Sequence, residues 1–222
     1  MLNEFDVKDK WHMERHSRFT SSVNYKLLPS GTNSMFSAGG LTYIQDKAIE
    51  TMITLWEQPK LEFVEQLIWG KRYEENGFNA YIDATKNYNM RYFGSESPVF
   101  IPYNEYSGGS PDSIMGEGDK VIWGAELKCP FNPKNHYLYC NFKSQWDLKE
   151  KRIEYYTQCQ DLIRITGADG WHFCSYDERF KDKLKRVKVI EVLPVKKFID
   201  NLTVRIEMAQ HEKLKIIQQF YS

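Results

Sequence analysis

Cysteine is scarce and scattered in this sequence. Its four residues, Cys129, Cys140, Cys159 and Cys174, stand eleven, nineteen and fifteen positions apart with no C-x-x-C pair. That spacing does not fit a zinc or iron–sulfur ligand set and suits reduced thiols inside a cell. Net charge is missing as well, since 30 Lys and Arg balance 30 Asp and Glu. A chain without bulk charge does not coat nucleic acid non-specifically, so any such contact must come from a local patch. No apolar run approaches the roughly 20 residues that span a bilayer. The N-terminus, Met1 to Asp6, lacks the basic-then-apolar order of a signal peptide, and a cytoplasmic location is expected. Repeats and low-complexity tracts are absent, and 222 residues suit one domain, residues 1–222, with a sizeable core.

What the chain does have is concentrated between Ser110 and Pro130. Asp112 lies in a Ser-Pro-Asp turn, and fourteen positions later come Glu126 and Lys128, two apart. If Val121 to Lys128 is a strand, Val121, Trp123, Ala125 and Leu127 face one side, and Ile122, Gly124, Glu126 and Lys128 face the other. Burying a carboxylate and an amine is costly unless each is paired or bound to a metal. Two carboxylates and an ammonium meeting at the end of an apolar strand suit metal-dependent phosphodiester chemistry. The plainer alternative is a Glu–Lys pair on an exposed edge strand.

The flanking segments supply further candidates. Residues 9–28 read as a helix entry in which Ser21 or Ser22 caps a helix beginning at Val23. Such a serine-rich start beside an arginine is also a natural phosphate seat. Pro29 to Gly40 reads as a loop, Leu41 to Trp56 as a helix, and a second helix is expected to start near Lys60. On that helix Phe63, Leu67, Gly70, Glu74 and Phe78 follow 4-3-4-4 spacing, which turns Glu74 inward and leaves Glu75 in solvent. Two short strands and a bend are expected between Met90 and Ile101, and a turn from Asn104 to Gly109 that places Asp112. Glu105 is a further acidic candidate, although a solvated loop carboxylate is the ordinary reading. His136 falls in what reads as a loop. Arg152 to Thr166 reads as a helix stopped by Gly167, with Tyr155, Gln158, Leu162 and Ile165 on one face. Strands are expected at Gly170–Tyr176 and Val187–Val192, and a closing helix from Lys196 to Phe220. Between those strands Arg179, Lys181, Lys183, Lys185, Arg186 and Lys188 form a basic run, either a solvated hairpin or a DNA backbone contact.

Taken together, Trp69 to Glu74, Ser110-Pro111-Asp112, Glu126 to Phe131, Gln158-Cys159-Gln160 and Tyr176-Asp177 resemble the lambda-exonuclease and YqaJ-type viral recombinase family. That family belongs to the PD-(D/E)XK nuclease superfamily, and the similarity spans about residues 11–180. The resemblance implies an α/β (α+β) fold with a restriction-endonuclease-like αβββα core, a central mixed sheet flanked by helices. It implies that Asp112, Glu126 and the backbone carbonyl of Leu127 hold Mg²⁺, with Mn²⁺ able to substitute. Lys128 would orient or deprotonate the attacking water, Glu74 and Gln158 would complete the catalytic site, and Arg15 and Ser22 would receive a 5′-phosphate. The implied activity is 5′-to-3′ digestion of one strand of linear duplex DNA by a homotrimer that works with a single-strand annealing protein. An endonuclease on the same core, or a non-catalytic DNA-binding subunit, are the alternatives. The chain departs from the family at Ser113, where glycine follows S-P-D, and in a longer turn to Glu126. A family aspartate upstream has only Asn104 and Glu105 nearby, and the loop Pro29 to Gly40 lacks the family's basic residues.

Overall fold

A strand that is apolar on one side and carries Glu126 and Lys128 on the other needs cover on both, and the fold provides it. The structure, a computed structural model, describes residues 4–54, 64–118 and 120–222. In chain order, α1 (Glu4–Arg15) leads into β1 (Phe19–Thr20) and a 3₁₀ turn (Asn24–Leu27), followed by α2 (Ala38–Met52) and α3 (Glu65–Thr85). Next come β2 (Arg91–Tyr92), β3 (Ile101–Asn104), β4 (Ser107–Gly109), β5 (Ser113–Glu117) and β6 (Lys120–Lys128). The chain ends with α4 (Pro133–Cys140), α5 (Gln145–Lys151), α6 (Ile153–Thr166), β7 (Gly170–Tyr176), a 3₁₀ turn (Lys183–Lys185), β8 (Val187–Val192) and α7 (Lys196–Tyr221).

The main sheet is mixed, in the order β2-β5-β6-β7-β8. Strands β2, β5 and β6 are antiparallel neighbours, while β7 runs parallel to β6. A parallel neighbour requires a long crossover, and α4, α5 and α6 supply it. Tyr156, Cys159, Leu162 and Ile163 of α6 pack with Trp171, Phe173, Ile190 and Val192 on one face. Tyr81 of α3 packs with Ala125, Leu127 and Cys174 on the other. Each large side chain buried this way contributes about 1.5–3 kcal/mol. Helix α3, strands β2, β5 and β6, and then α6 are the αβββα core. A smaller sheet, β1-β4-β3, joins the N-terminal segment to the turn before Asp112. There Phe19, Leu27 and Phe36 pack with Tyr43 and Ile44 of α2 and with Leu202 and Ile206 of α7.

Gly124 is dictated by a close approach. It lies opposite Trp171 in the β6–β7 ladder, and a Cβ there would stand 2.1 Å from the indole ring. Gly124→Ala is expected to lower stability by about 1–3 kcal/mol through overpacking, read as a lower urea midpoint at unchanged slope.

Several elements differ from the sequence reading. The expected helix at Val23 is only the 3₁₀ turn Asn24–Leu27, and its N-cap, Val23, makes no side-chain cap. Ser21 instead extends the small sheet, its N–H donating to Gly108 O at 3.1 Å. Helix α2 starts earlier than Leu41, where Ser37 caps it by accepting from Gly40 N. Lys60 and Phe63 lie outside the described residues, and Leu67 is exposed because it lines an open cleft. Alternation along β6 breaks where the register shifts between Met115 and Gly116, so Val121 packs on the α6 side while Ala125 and Leu127 face α3. Asn104 to Gly109 is a tight β3–β4 hairpin rather than a free turn. The expected loop around His136 is helix α4, with Asn132 as N-cap and Pro133 in its first turn.

Candidate active site

The β5–β6 hairpin settles how Asp112 reaches Glu126. Ser113 pairs with Ala125, so the longer turn is absorbed at the far end of the hairpin and Asp112 lands beside the end of β6. Its Oδ2 accepts the Leu127 backbone N–H at 2.6 Å. Glu126 is 1% exposed and faces α6, with Oε1 paired to the Lys128 ammonium. Its Oε2 is buried without a hydrogen-bond partner among the described residues. Lys128 Nζ also lies 5.4 Å from the centre of the Tyr155 ring on α6. Gln158, one turn further along α6, is buried, and its neighbour Cys159 feels the charges of Glu126, Lys128 and Asp112. Glu74 on α3 is half-buried and interacts electrostatically with Asp112 and Lys128, while Glu75 is exposed.

This charge set is unbalanced. Burial, then the charge of Asp112, pushes Glu126 up to about 8 against the pull of Lys128. The same two causes push Glu74 up to about 7. Burial also raises Asp112, with Lys128 and the Leu127 N–H pulling it back. Burial disfavours the Lys128 ammonium, yet Glu126 and Asp112 together outweigh it and hold its pKa well above the ordinary lysine value. Three carboxylates thus share one ammonium, and the site favours either added protons or a cation. Among the described residues no group of three or more His, Cys, Asp or Glu is arranged to hold a metal ion. A set of two carboxylates and a carbonyl, with an orphaned Glu126 oxygen, nonetheless has the hard oxygen chemistry that Mg²⁺ takes.

A second cluster meets the first through Ser110, two residues before Asp112. Trp11 Nε1 and Arg15 Nη1, one turn apart on α1, both donate to Ser110 Oγ, at 2.8 and 3.0 Å. The Arg15 guanidinium lies 4.3 Å from the Trp11 ring centre and forms no ion pair among the described residues. Burial lowers its pKa, while Tyr43, Glu126 and Glu50 act the other way. A half-buried guanidinium that forms no ion pair has donors left that an anion could take up. Ser21 lies against Gly109, whose added Cβ would meet its Oγ at 2.7 Å, and Ser22 follows it, half-buried.

The YqaJ-like viral recombinase domain profile matches residues 10–169. The chain belongs to that family. Solved structures share its fold. The alkaline exonuclease LHK-Exo from Laribacter hongkongensis superposes with a TM-score of 0.74 at 18% identity, over 96% of both chains. Its complex with dAMP gives 0.74 at 20% identity, over 96% of this chain and 95% of that one. A phage-related exonuclease from Haemophilus somnus 129PT gives 0.68 at 13% identity, over 95% of this chain and 99% of that one. Comparison with curated proteins gives no match. At such identities the likeness to solved structures is one of fold, which is the PD-(D/E)XK type.

Other candidates in this YqaJ-like chain are occupied elsewhere. Asn104 Oδ1 closes its hairpin by accepting from Tyr106 N and Ser107 Oγ, and Glu105 is exposed with its carbonyl bound by Arg18. His136 is fully buried between Ser175 Oγ and Lys185 O, at 2.8 Å from each. Arg179 grips Asp177 and the carbonyls of Pro130 and Phe131, with its guanidinium 4.2 Å from the Trp69 ring centre. Arg186 donates to Phe180 O. Two members of the basic run are therefore structural, and Lys181, Lys183 and Lys185 remain exposed. No described helix is long and apolar enough to cross a membrane. Beside Lys128 opens a cleft of about 900 Å³ lined by Leu67, Phe131, Asn132, Tyr139, Tyr155 and Arg179. Sequence reading missed Trp11, although its i,i+4 spacing to Arg15 signalled a shared helix face. It also missed Tyr155 as the ring beneath Lys128.

Proposed function

We propose that this protein is a Mg²⁺-dependent 5′-to-3′ exonuclease that degrades one strand of linear double-stranded DNA and leaves 3′ single-stranded tails for phage-type recombination. The supporting observation is the Ser110-Pro111-Asp112 turn, which ties the anion seat at Arg15 to the carboxylate cluster within three residues. Arg15 and Ser22 receive the 5′-phosphate, and that anchor sets which phosphodiester lies over Glu126. Asp112, Glu126 and the Leu127 carbonyl would hold the divalent ion, which supplies Lewis acidity to the scissile phosphate and to water. Lys128, kept protonated by Glu126 and Asp112, acts as a donor that orients water or phosphate rather than as a base. Glu74, with a pKa pushed to about 7, exchanges a proton near neutral pH. The Gln158 amide adds a neutral donor from α6. Bases of the departing strand fit the aromatic cleft beside Lys128. The resemblance adds a trimer, Mn²⁺ as a substitute ion and a single-strand annealing partner.

The test is a linear duplex carrying 5′-phosphate at one end only. Mg²⁺ is expected to drive mononucleotide release from that strand, EDTA to stop it, and closed circular duplex to survive. Cutting of the circle would make the enzyme an endonuclease, and an inert linear substrate would sink the reading.

A further inference from the structure

The corner between α1 and β1 is held in an unusual way. Ser17, in the turn two residues after Arg15, adopts a left-handed conformation with φ 60°. Such a conformation costs a non-glycine residue about 1–3 kcal/mol and persists where the surroundings over-determine it. Here two charged side chains from distant helices do so. Glu50 Oε2 of α2 accepts the Ser17 N–H at 2.7 Å, and Lys213 Nζ of α7 donates to the Ser17 carbonyl at 2.7 Å. Both are nearly sequestered, Glu50 at 7% and Lys213 at 4% exposure. Lys47 neutralises Glu50 from one turn earlier, its Nζ 2.8 Å from Oε2. Burying two charges to hold one backbone unit is an expensive way to make a turn.

Ser17 is the pivot between the two halves of the anion seat. Arg15 and Trp11 lie on the α1 side, while Thr20, Ser21 and Ser22 lie on the β1 side, where Thr20 N is in turn held by Tyr43 OH of α2 at 2.9 Å. We infer that Glu50, with Lys213, is a positioning residue for 5′-phosphate recognition, clamping Ser17 so that Arg15 and the serine segment face one phosphate. The inference rests on the phosphate-seat reading above.

The experiment measures, by fluorescence anisotropy in EDTA, the affinity of the protein for duplex ends bearing 5′-phosphate or 5′-hydroxyl. Wild type is expected to prefer the phosphorylated end by about tenfold or more, the scale of one charge-assisted contact. Glu50→Ala should narrow that preference to about threefold or less through the phosphorylated end alone. Glu50→Gln, whose amide oxygen still accepts the Ser17 N–H, should recover most of it. Lys213→Met provides the second arm and should narrow the preference in the same direction even if Glu50→Ala fails to fold. Variants that melt earlier yet keep the wild-type preference would reduce the clamp to a purely structural role and overturn the proposal. A wild type without any preference would remove the phosphate seat itself and the proposal with it, an outcome visible before any variant is made.

Discussion

Lys128→Ala is expected to reduce Mg²⁺-dependent nucleotide release about 100- to 1,000-fold or more, the effect of deleting one preorganised donor from a reaction centre. The fold should survive, because Lys128 sits at the last position of β6 with its side chain 28% exposed and the apolar packing of Ala125 and Leu127 lies on the opposite face. What changes is the charge balance. Without the ammonium, Glu74, Asp112 and Glu126 lose the cation whose charge acts on all three against their burial. Far-UV circular dichroism should match wild type, and single-turnover digestion should locate the loss in the chemical step. A variant that digests at the wild-type rate would remove Lys128 from the mechanism.

Glu126→Gln should separate metal binding from folding. In the metal-free protein Glu126 has a folded pKa of about 8 against an ordinary value of 4.5, mainly through burial. The native state therefore holds a proton that the unfolded chain releases, so the contribution of Glu126 to stability is full below pH 4.5 and is lost as pH rises through 8. Glu74, pushed to about 7, adds to the same slope. The loss across that window is on the order of a few kcal/mol, and it reverses when a cation replaces the proton. Thermal melts should show metal-free wild type losing stability from pH 5 to pH 8, with Mg²⁺ restoring it more at pH 8 than at pH 6. In Glu126→Gln the decline should be shallower, the gain from Mg²⁺ lost and cleavage abolished. A variant that Mg²⁺ still stabilises as much as wild type would place the ion elsewhere.

The parts legible in the sequence were those carried by short-range periodicity. Glu126 and Lys128 share a face because they are two apart on a strand, and Gly167 ends α6 with the expected left-handed cap, φ 68°. The parts that were not legible depend on partners far along the chain. The Ser17 clamp joins residues 33 and 196 positions apart, and no local pattern marks it. Helix α4 was hidden by dense Asn and Pro and α5 by its shortness, though Asn132-Pro133 and the Ser144–Asp147 capping box are start signals. The stripe through Leu67 and Glu74 requires α3 to pack along its whole length, whereas Leu67 is exposed, Glu74 half-buried and full burial begins only at Gly77 and Tyr81. The proposed roles of Glu74, Asp112, Glu126, Lys128 and Gln158 came from resemblance joined to periodicity, and the geometry now gives each a place to be tested.

The antiparallel hairpin of β5 and β6 has one more consequence. Its ladder fixes Asp112 against Leu127 at one end while the opposite end, at Glu117 and Gly118, is exposed. Residues can therefore be added or removed there in facing pairs, lengthening or shortening the arm without changing which atoms meet at its base. The interval between the two acidic motifs can then drift among relatives while the reaction centre stays put, so motif spacing is a poor guide to ancestry in such a fold and the pairing register a better one.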